Sequence, residues 1–253
     1  MDIWILVALI AIFAGLVKGI SGFGSSLVAI PLLTLLFGTE FVKDSVVVMI
    51  TFNLVLNSLL LIENKGFHPD SLKRVWIIPL FGAIFTVVGI IIFVNVPDAV
   101  ITYTAGGLIL LAIANKGFRL KMRLPETPWV KAIIGTLSGM GNGIASIDGP
   151  PVVFYLTSIQ AEKTYFKNVL ASHFLVTGFI AVVLHVIWGS YNVDLILIIA
   201  VMLVFTVVGL LIGNKISRNM NQAVFDKIVL VILFALAISM FYEEIKTIFL
   251  MIT

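Results

Sequence analysis

Long apolar runs separated by short polar joints make up most of the chain, and they fall into two sets of four. The first set covers 3–17, continuing brokenly into 26–37, then 45–62, 75–94 and 99–114. The second covers 130–137, resuming through 152–157, then 168–188, 195–213 and 228–242. Most of the unbroken runs approach the roughly 20 helical residues that cross a hydrocarbon core. The leading member of each set differs: two short apolar arms flank a Gly/Ser-rich interruption. The pattern predicts an all-α integral membrane protein in which each set is a broken helical hairpin (3–37 and 130–158) followed by three transmembrane helices.

The two sets are copies of one another. A shift of 120 positions lays Gly15 on Gly135, Gly19 on Gly139, Ser26 on Ser146, Pro31 on Pro151 and Lys43 on Lys163. The same shift, without a gap, lays Phe85-Thr86-Val87-Val88-Gly89 on Phe205-Thr206-Val207-Val208-Gly209. One offset joining separate motifs argues for duplication, with repeats at 1–124 and 125–253 and the joint near Pro125–Pro128.

Composition narrows the class. Sixty per cent of the 253 residues are apolar and only 11% are charged, against about 25% charged in soluble domains. A soluble protein of this make-up would lack a polar coat, so soluble enzymes, DNA-binding domains and disordered scaffolds are excluded. The net charge of +3 then says nothing of nucleic acid, because membrane proteins collect cytoplasmic Lys and Arg for topological reasons. With no cysteine there are no disulfides and no thiolate metal sites. Asp2 stands where a cleavable signal would be basic. No zinc, nucleotide or nucleophile-elbow motif is present, so no cofactor and no metal are expected.

Charge placement decides what the broken segments are. If each crosses the membrane once, the basic loops scatter over both faces. If each enters and leaves on one side, 13 of the 16 Lys and Arg residues lie on a single face, with Lys43 and Lys246 opposite and Lys18 inside the first broken segment. The hairpin scheme satisfies the positive-inside rule. Three full crossings per half then insert the second half upside down. The result is an inverted repeat with both termini outside and two hairpin tips meeting near the midplane. Secondary transporters recurrently use this plan.

The first tip reads Lys18-Gly19-Ile20-Ser21-Gly22-Phe23-Gly24-Ser25-Ser26, and the second runs from Gly139 through Gly141-Asn142-Gly143 and Ser146 to Asp148-Gly149-Pro150-Pro151. Glycines allow positive φ and close approach of backbone amides to a ligand. Ser25 or Ser26, and Ser146 or Asp148, are N-cap candidates for the returning arms, whose free amides would face the centre and suit an anion. Lys18 tilts the balance the same way. Candidate substrate contacts are therefore Lys18, Ser21, Gly22, Phe23, Gly24, Ser25, Ser26, Gly141, Asn142, Gly143 and Ser146. Asn53 and Asn57, one turn apart on one helix face, either line the cavity or bond across helices. Asp148 and His173 are candidate proton carriers. Alternatively Lys18 and Asp148 form a salt bridge closing the tips, and His173, like His185, is a structural histidine. Packing between helices is the alternative reading for all these glycines, and it is favoured for Gly15, Gly89, Gly135 and Gly209 inside the regular spans.

At these motifs the chain resembles the sulfite exporter TauE/SafE family over its whole length. The resemblance rests on Gly15, Gly19, Gly22, Gly24 and Pro31, then Gly135, Gly139, Gly141, Gly143 and Pro151. It implies a multi-pass permease of the prokaryotic plasma membrane carrying sulfite, a sulfonate or sulfoacetate. Here Gly24-Ser25-Ser26 and Gly143-Ile144-Ala145 replace the family's consecutive glycines, and Asp148 is an addition. Expected partners are a small anion, protons and lipid. Two rivals remain open at this point. One is an anion channel on the same fold. The other is a rhomboid-like serine protease, suggested by Gly19-Ile20-Ser21-Gly22 with His173 or His185 as base.

Overall fold

The computed structural model describes residues 3–63, 73–117 and 123–219 together with Phe234 and Ile238. The expected span 228–242 otherwise lies outside the described residues. The elements are α1 (Ile3–Ser21), α2 (Ser25–Phe37), a 3-10 turn (Thr39–Phe41), α3 (Val42–Glu63), α4 (Ile77–Asn95), α5 (Asp98–Gly117), α6 (Pro128–Ala145), α7 (Gly149–Ser158), α8 (Lys163–Ile187) and α9 (Val193–Asn219). Every regular element among the described residues is helical. Among the described residues, five helices are long and apolar enough to cross a membrane: α1, α3 with its preceding turn, α4, α8 and α9. This is a multi-pass membrane protein.

Backbone chemistry sets the breaks. Pro128 opens α6 at its first position, where its missing N–H would have no partner anyway. Gly38, at φ +105°, ends α2 and donates its N–H to Thr34 O at 2.9 Å, a conformation that disfavours a side chain. Between α1 and α2, Gly22 (φ +82°) and Gly24 (φ +91°) turn the chain.

Both broken segments double back. Val130 and Ile134 in the first turns of α6 share one apolar cluster with Leu156 and Ile159 at the end of α7. Ser138, two turns before the end of α6, donates to Asp148 O at 2.7 Å. The first tip lies level with Asn53, the twelfth residue of the 22 in α3. The second lies level with Thr177, the fifteenth of the 25 in α8. The two tips therefore sit at the middle of helices long enough to cross a bilayer.

The ends separate cleanly along α4, whose 19 residues span about 28 Å. Before its start, Arg74 O accepts from Lys131 Nζ of α6 at 2.7 Å. Past its end, Val96 O accepts from Lys43 Nζ of α3 at 2.7 Å. Lys43 and Lys131 thus occupy opposite ends of the molecule.

Among the described residues, two helix pairs form the tightest seams, α1 with α9 and α4 with α6. Glycines make both. A Cβ at Gly15 would stand 2.5 Å from Thr206 O, one at Gly19 2.5 Å from Leu210 O, and one at Gly143 2.5 Å from Thr86 O. Backbone opposes each of them, so only glycine lets the axes approach this closely. Each pair is parallel: Ile12, Leu16 and Gly19 meet successively later residues of α9, as Gly135, Gly139 and Gly143 meet those of α4.

Candidate functional site

A cavity lies between the two tips. It is lined by Lys18, Phe23, Gly24, Ser25, Ser26 and Leu27 of the first hairpin, Asn53 and Asn57 of α3, Ser146 through Pro150 of the second hairpin, and Phe174 of α8. The cavity volume is about 20 Å³, enough to admit a water.

Asn53 organises the first half of this site. Its Oδ1 accepts from Lys18 Nζ at 2.9 Å and from Ser25 Oγ at 2.6 Å. Its Nδ2 donates to Ser26 Oγ at 2.7 Å and lies 3.5 Å from Ser146 Oγ. Since Lys can only donate, the orientation of the Asn53 amide is determined by its neighbours. Ser26 Oγ and Ser146 Oγ are 3.3 Å apart, joining the hairpins directly. Asn57 is buried, and its Oδ1 has no hydrogen-bond partner.

The second half is held differently. Asp148 Oδ2 accepts from Thr177 Oγ1 at 3.0 Å. Behind it, Ser138 Oγ lies 2.7 Å from His173 Nε2 while donating to Asp148 O. A hydroxyl has one proton, so this bond makes His173 the Nε2–H tautomer and leaves its Nδ1 a bare acceptor. That nitrogen is buried without a partner. His173 does not line the cavity; it stands one hydroxyl behind Asp148. Lys18 and Asp148 face the same space, but no direct ion pair joins them among the described residues. Each bonds to another residue instead.

The expected caps take another form. The residue ahead of α2 is Gly24, with no side-chain cap, and Ser25 and Ser26 direct their hydroxyls sideways to Asn53 and the opposite tip. Asp148 precedes α7 without capping it. Ser146 instead closes α6, at φ +53°, its N–H donating to Asn142 O at 2.8 Å, and Ile147 N–H donates to Gly141 O at 3.0 Å. A left-handed residue at this position satisfies carbonyls the helix end leaves open.

Other expected contacts lie outside the cavity. Ser21 is spent on its own turn: its proton goes to Val17 O at 2.7 Å or Phe23 O at 2.5 Å, and Oγ accepts from Phe23 N at 3.3 Å. A Cβ at Gly22 would meet nothing within 4 Å. Gly143 lies in the seam with α4, and Gly141 faces the carbonyl of Ile147. Asn142 is buried with its Nδ2 unpaired. His185 sits at the far end of α8, its Nδ1 3.0 Å from Ser190 Oγ and its ring edge-on to Phe93. Neither histidine pairs with Ser21, so the protease constellation is not assembled.

Sequence reasoning missed Ser138, Thr177 and Phe174. The 120-residue shift carries a signal for the first two: Ser138 is the counterpart of Lys18, and Thr177 of Asn57. The bonded pairs Lys18–Asn53 and Ser138–His173 occupy equivalent positions with different chemistry.

Helices that break at mid-depth around a buried polar cavity define a membrane protein built to handle a small polar solute. The sequence pattern of the family described as Sulfite exporter TauE/SafE matches residues 7–240. The chain belongs to that family: it is a membrane transporter of sulfite-type anions and not an enzyme. Neither the curated proteins nor the solved structures yield a match.

Proposed function

We propose that the protein is a secondary transporter that moves a small sulfur-containing anion of the sulfite, sulfonate or sulfoacetate type, coupled to protons. It works by alternating access around the cavity between the hairpin tips, in a prokaryotic plasma membrane. The observation that carries this reading is the meeting of the two tips at Ser26 and Ser146, residues 120 positions apart. Such a contact is expected where two inverted repeats, 1–124 and 125–253, share a pseudo-two-fold axis through the binding site. Substrate contacts are assigned to Lys18, Phe23, Gly24, Ser25, Ser26, Asn53, Asn57 and Ser146. Asp148 and His173 are assigned to the proton.

A carrier and a channel on this fold both need a polar cavity at mid-depth, and coupling tells them apart. The test is uptake of small oxyanions into proteoliposomes with and without a pH gradient. The carrier reading expects saturable, counter-transportable flux that responds to the gradient. Conductance without exchange would replace it with the channel.

A further inference from the structure

The cavity is built with opposite polarities at its two ends. The first hairpin supplies donors. Lys18 Nζ has three N–H bonds and gives one to Asn53, and the opening turn of α2 presents backbone amides that no helical carbonyl satisfies. The second hairpin supplies acceptors. Pro150 and Pro151 occupy the first turn of α7, which removes two of the N–H groups a helix start normally offers. Asp148 stands there instead, with a carboxylate that has about four acceptor positions, one taken by Thr177. Asn57 adds an acceptor from α3: its Oδ1 is buried at 1% exposure without a partner, and the residue lines the cavity. A buried acceptor left unpaired is costly, so a solute that carries a donor suits this end better than one that carries none.

Resting on the reading of this cavity as the substrate site, we infer that it selects an oxyanion of single charge that still carries its own O–H. In the sulfur series that species is hydrogensulfite. Its oxygens face Lys18 and the α2 amides, while its single O–H donates to one of the two acceptors opposite, Asp148 or Asn57. A fully ionised anion such as sulfate has no donor for Asp148 and sets charge against charge. A methylsulfonate has the right charge and headgroup but leaves the carboxylate unanswered. The substrate thus brings its proton with it. The other groups near Asp148 are Lys18 across the cavity, Thr177 on α8, and Ser138 with His173 behind it.

The test is equilibrium binding to the purified full-length protein at one neutral pH, where hydrogensulfite is still abundant. Methanesulfonate and sulfate are the comparison ligands. Hydrogensulfite should bind roughly tenfold to a hundredfold tighter than either, the value of one hydrogen bond to a charged group. In Asp148→Asn, whose amide can itself donate, methanesulfonate should match or overtake hydrogensulfite. Asn57→Ala, on a different element, should narrow the preference in the same direction, so the inference stays testable if one variant misfolds. Equal affinity for all three ligands, or an unchanged preference in both variants, would overturn the inference and leave the transport site standing. Failure of folded protein to bind any of the three would remove the site and the inference together.

Discussion

Ser26 Oγ and Ser146 Oγ lie 3.3 Å apart although 120 residues separate them along the chain. Around this contact the hydrogen bonds repeat by position and not by residue type. Lys18 reaches Asn53 at 2.9 Å, and their counterparts Ser138 and His173 meet at 2.7 Å. One half of the site therefore sets a lysine against an amide, and the other a hydroxyl against an imidazole.

Asn53 is where the donor half is most vulnerable. It holds Lys18, Ser25 and Ser26 at once. Asn53→Ala should weaken anion binding by roughly tenfold to a hundredfold, because the lysine loses its buried partner and its aim. Lys18→Gln should do the same, whereas Lys43→Gln, at the far end of α3, should leave affinity unchanged. Saturation binding on the three variants checks this. Equal losses in all three would remove Lys18 from the site.

The seams predict stability effects apart from binding. A side chain at Gly139 or Gly209 would run into backbone of the opposing helix. Gly139→Ala and Gly209→Ala should each cost about 1–3 kcal/mol through overpacking. Gly107 faces open space, with nothing within 4 Å of an added Cβ, so Gly107→Ala should be neutral or slightly stabilising. Thermal unfolding in detergent would measure all three. Tolerance of alanine at both seam positions would show that the helices separate more easily than their packing implies.

Much of this architecture was legible in the sequence, because a membrane restricts the chain to helices and exposes each break as a polar interruption. The four elements leading each half appear where the apolar runs end, and Lys18, Ser26, Asn53, Ser146 and Asp148 do gather at one cavity. What the sequence left ambiguous was whether a small residue turns, packs or binds. Gly24 turns the chain and lines the cavity, while Gly143, in an equally glycine-rich stretch, lies against Thr86 and Gly89. Register was also hidden. Thr206 rests beside Gly15 and donates to Ala11 O at 3.0 Å. Its counterpart Thr86 lies beside Gly139 and Gly143, with its hydroxyl unpaired. The two seams are thus offset by one to two turns, and only helix packing decides that.

At the basic end, Arg74 and Glu126 form a bidentate pair, with Arg74 Nε 2.6 Å from Glu126 Oε2. The hydrogen bond from Arg74 holds the Glu126 carboxyl below the usual carboxylate range. A carboxylate so lowered stabilises the fold above its unfolded pKa and loses that contribution as pH falls through its folded value. Both side chains are well exposed, so screening limits the effect to about 1 kcal/mol or less. Glu126→Gln should therefore unfold at slightly lower temperature than the parent at neutral pH, and the gap should close in acid. A gap that stays constant down to strongly acidic pH would assign the effect to packing.

The seams also decide which helices travel together. In an alternating-access cycle, parts packed by interlocked backbone move as one body, and sliding occurs where side chains alone meet. Packing places α1 with α9 in one such body, since Ala11 O and Thr206 Oγ1 are bonded and Gly15, Gly19 and Gly209 leave no room for shear. The absence of cysteine makes a direct test clean. Ala11→Cys and Thr206→Cys, introduced together and joined by a short thiol cross-linker, should leave anion exchange at least half intact relative to the uncross-linked double variant. A block that appears on cross-linking and reverses on cleavage of the linker would show that α1 moves against α9. The moving boundary would then lie inside this pair.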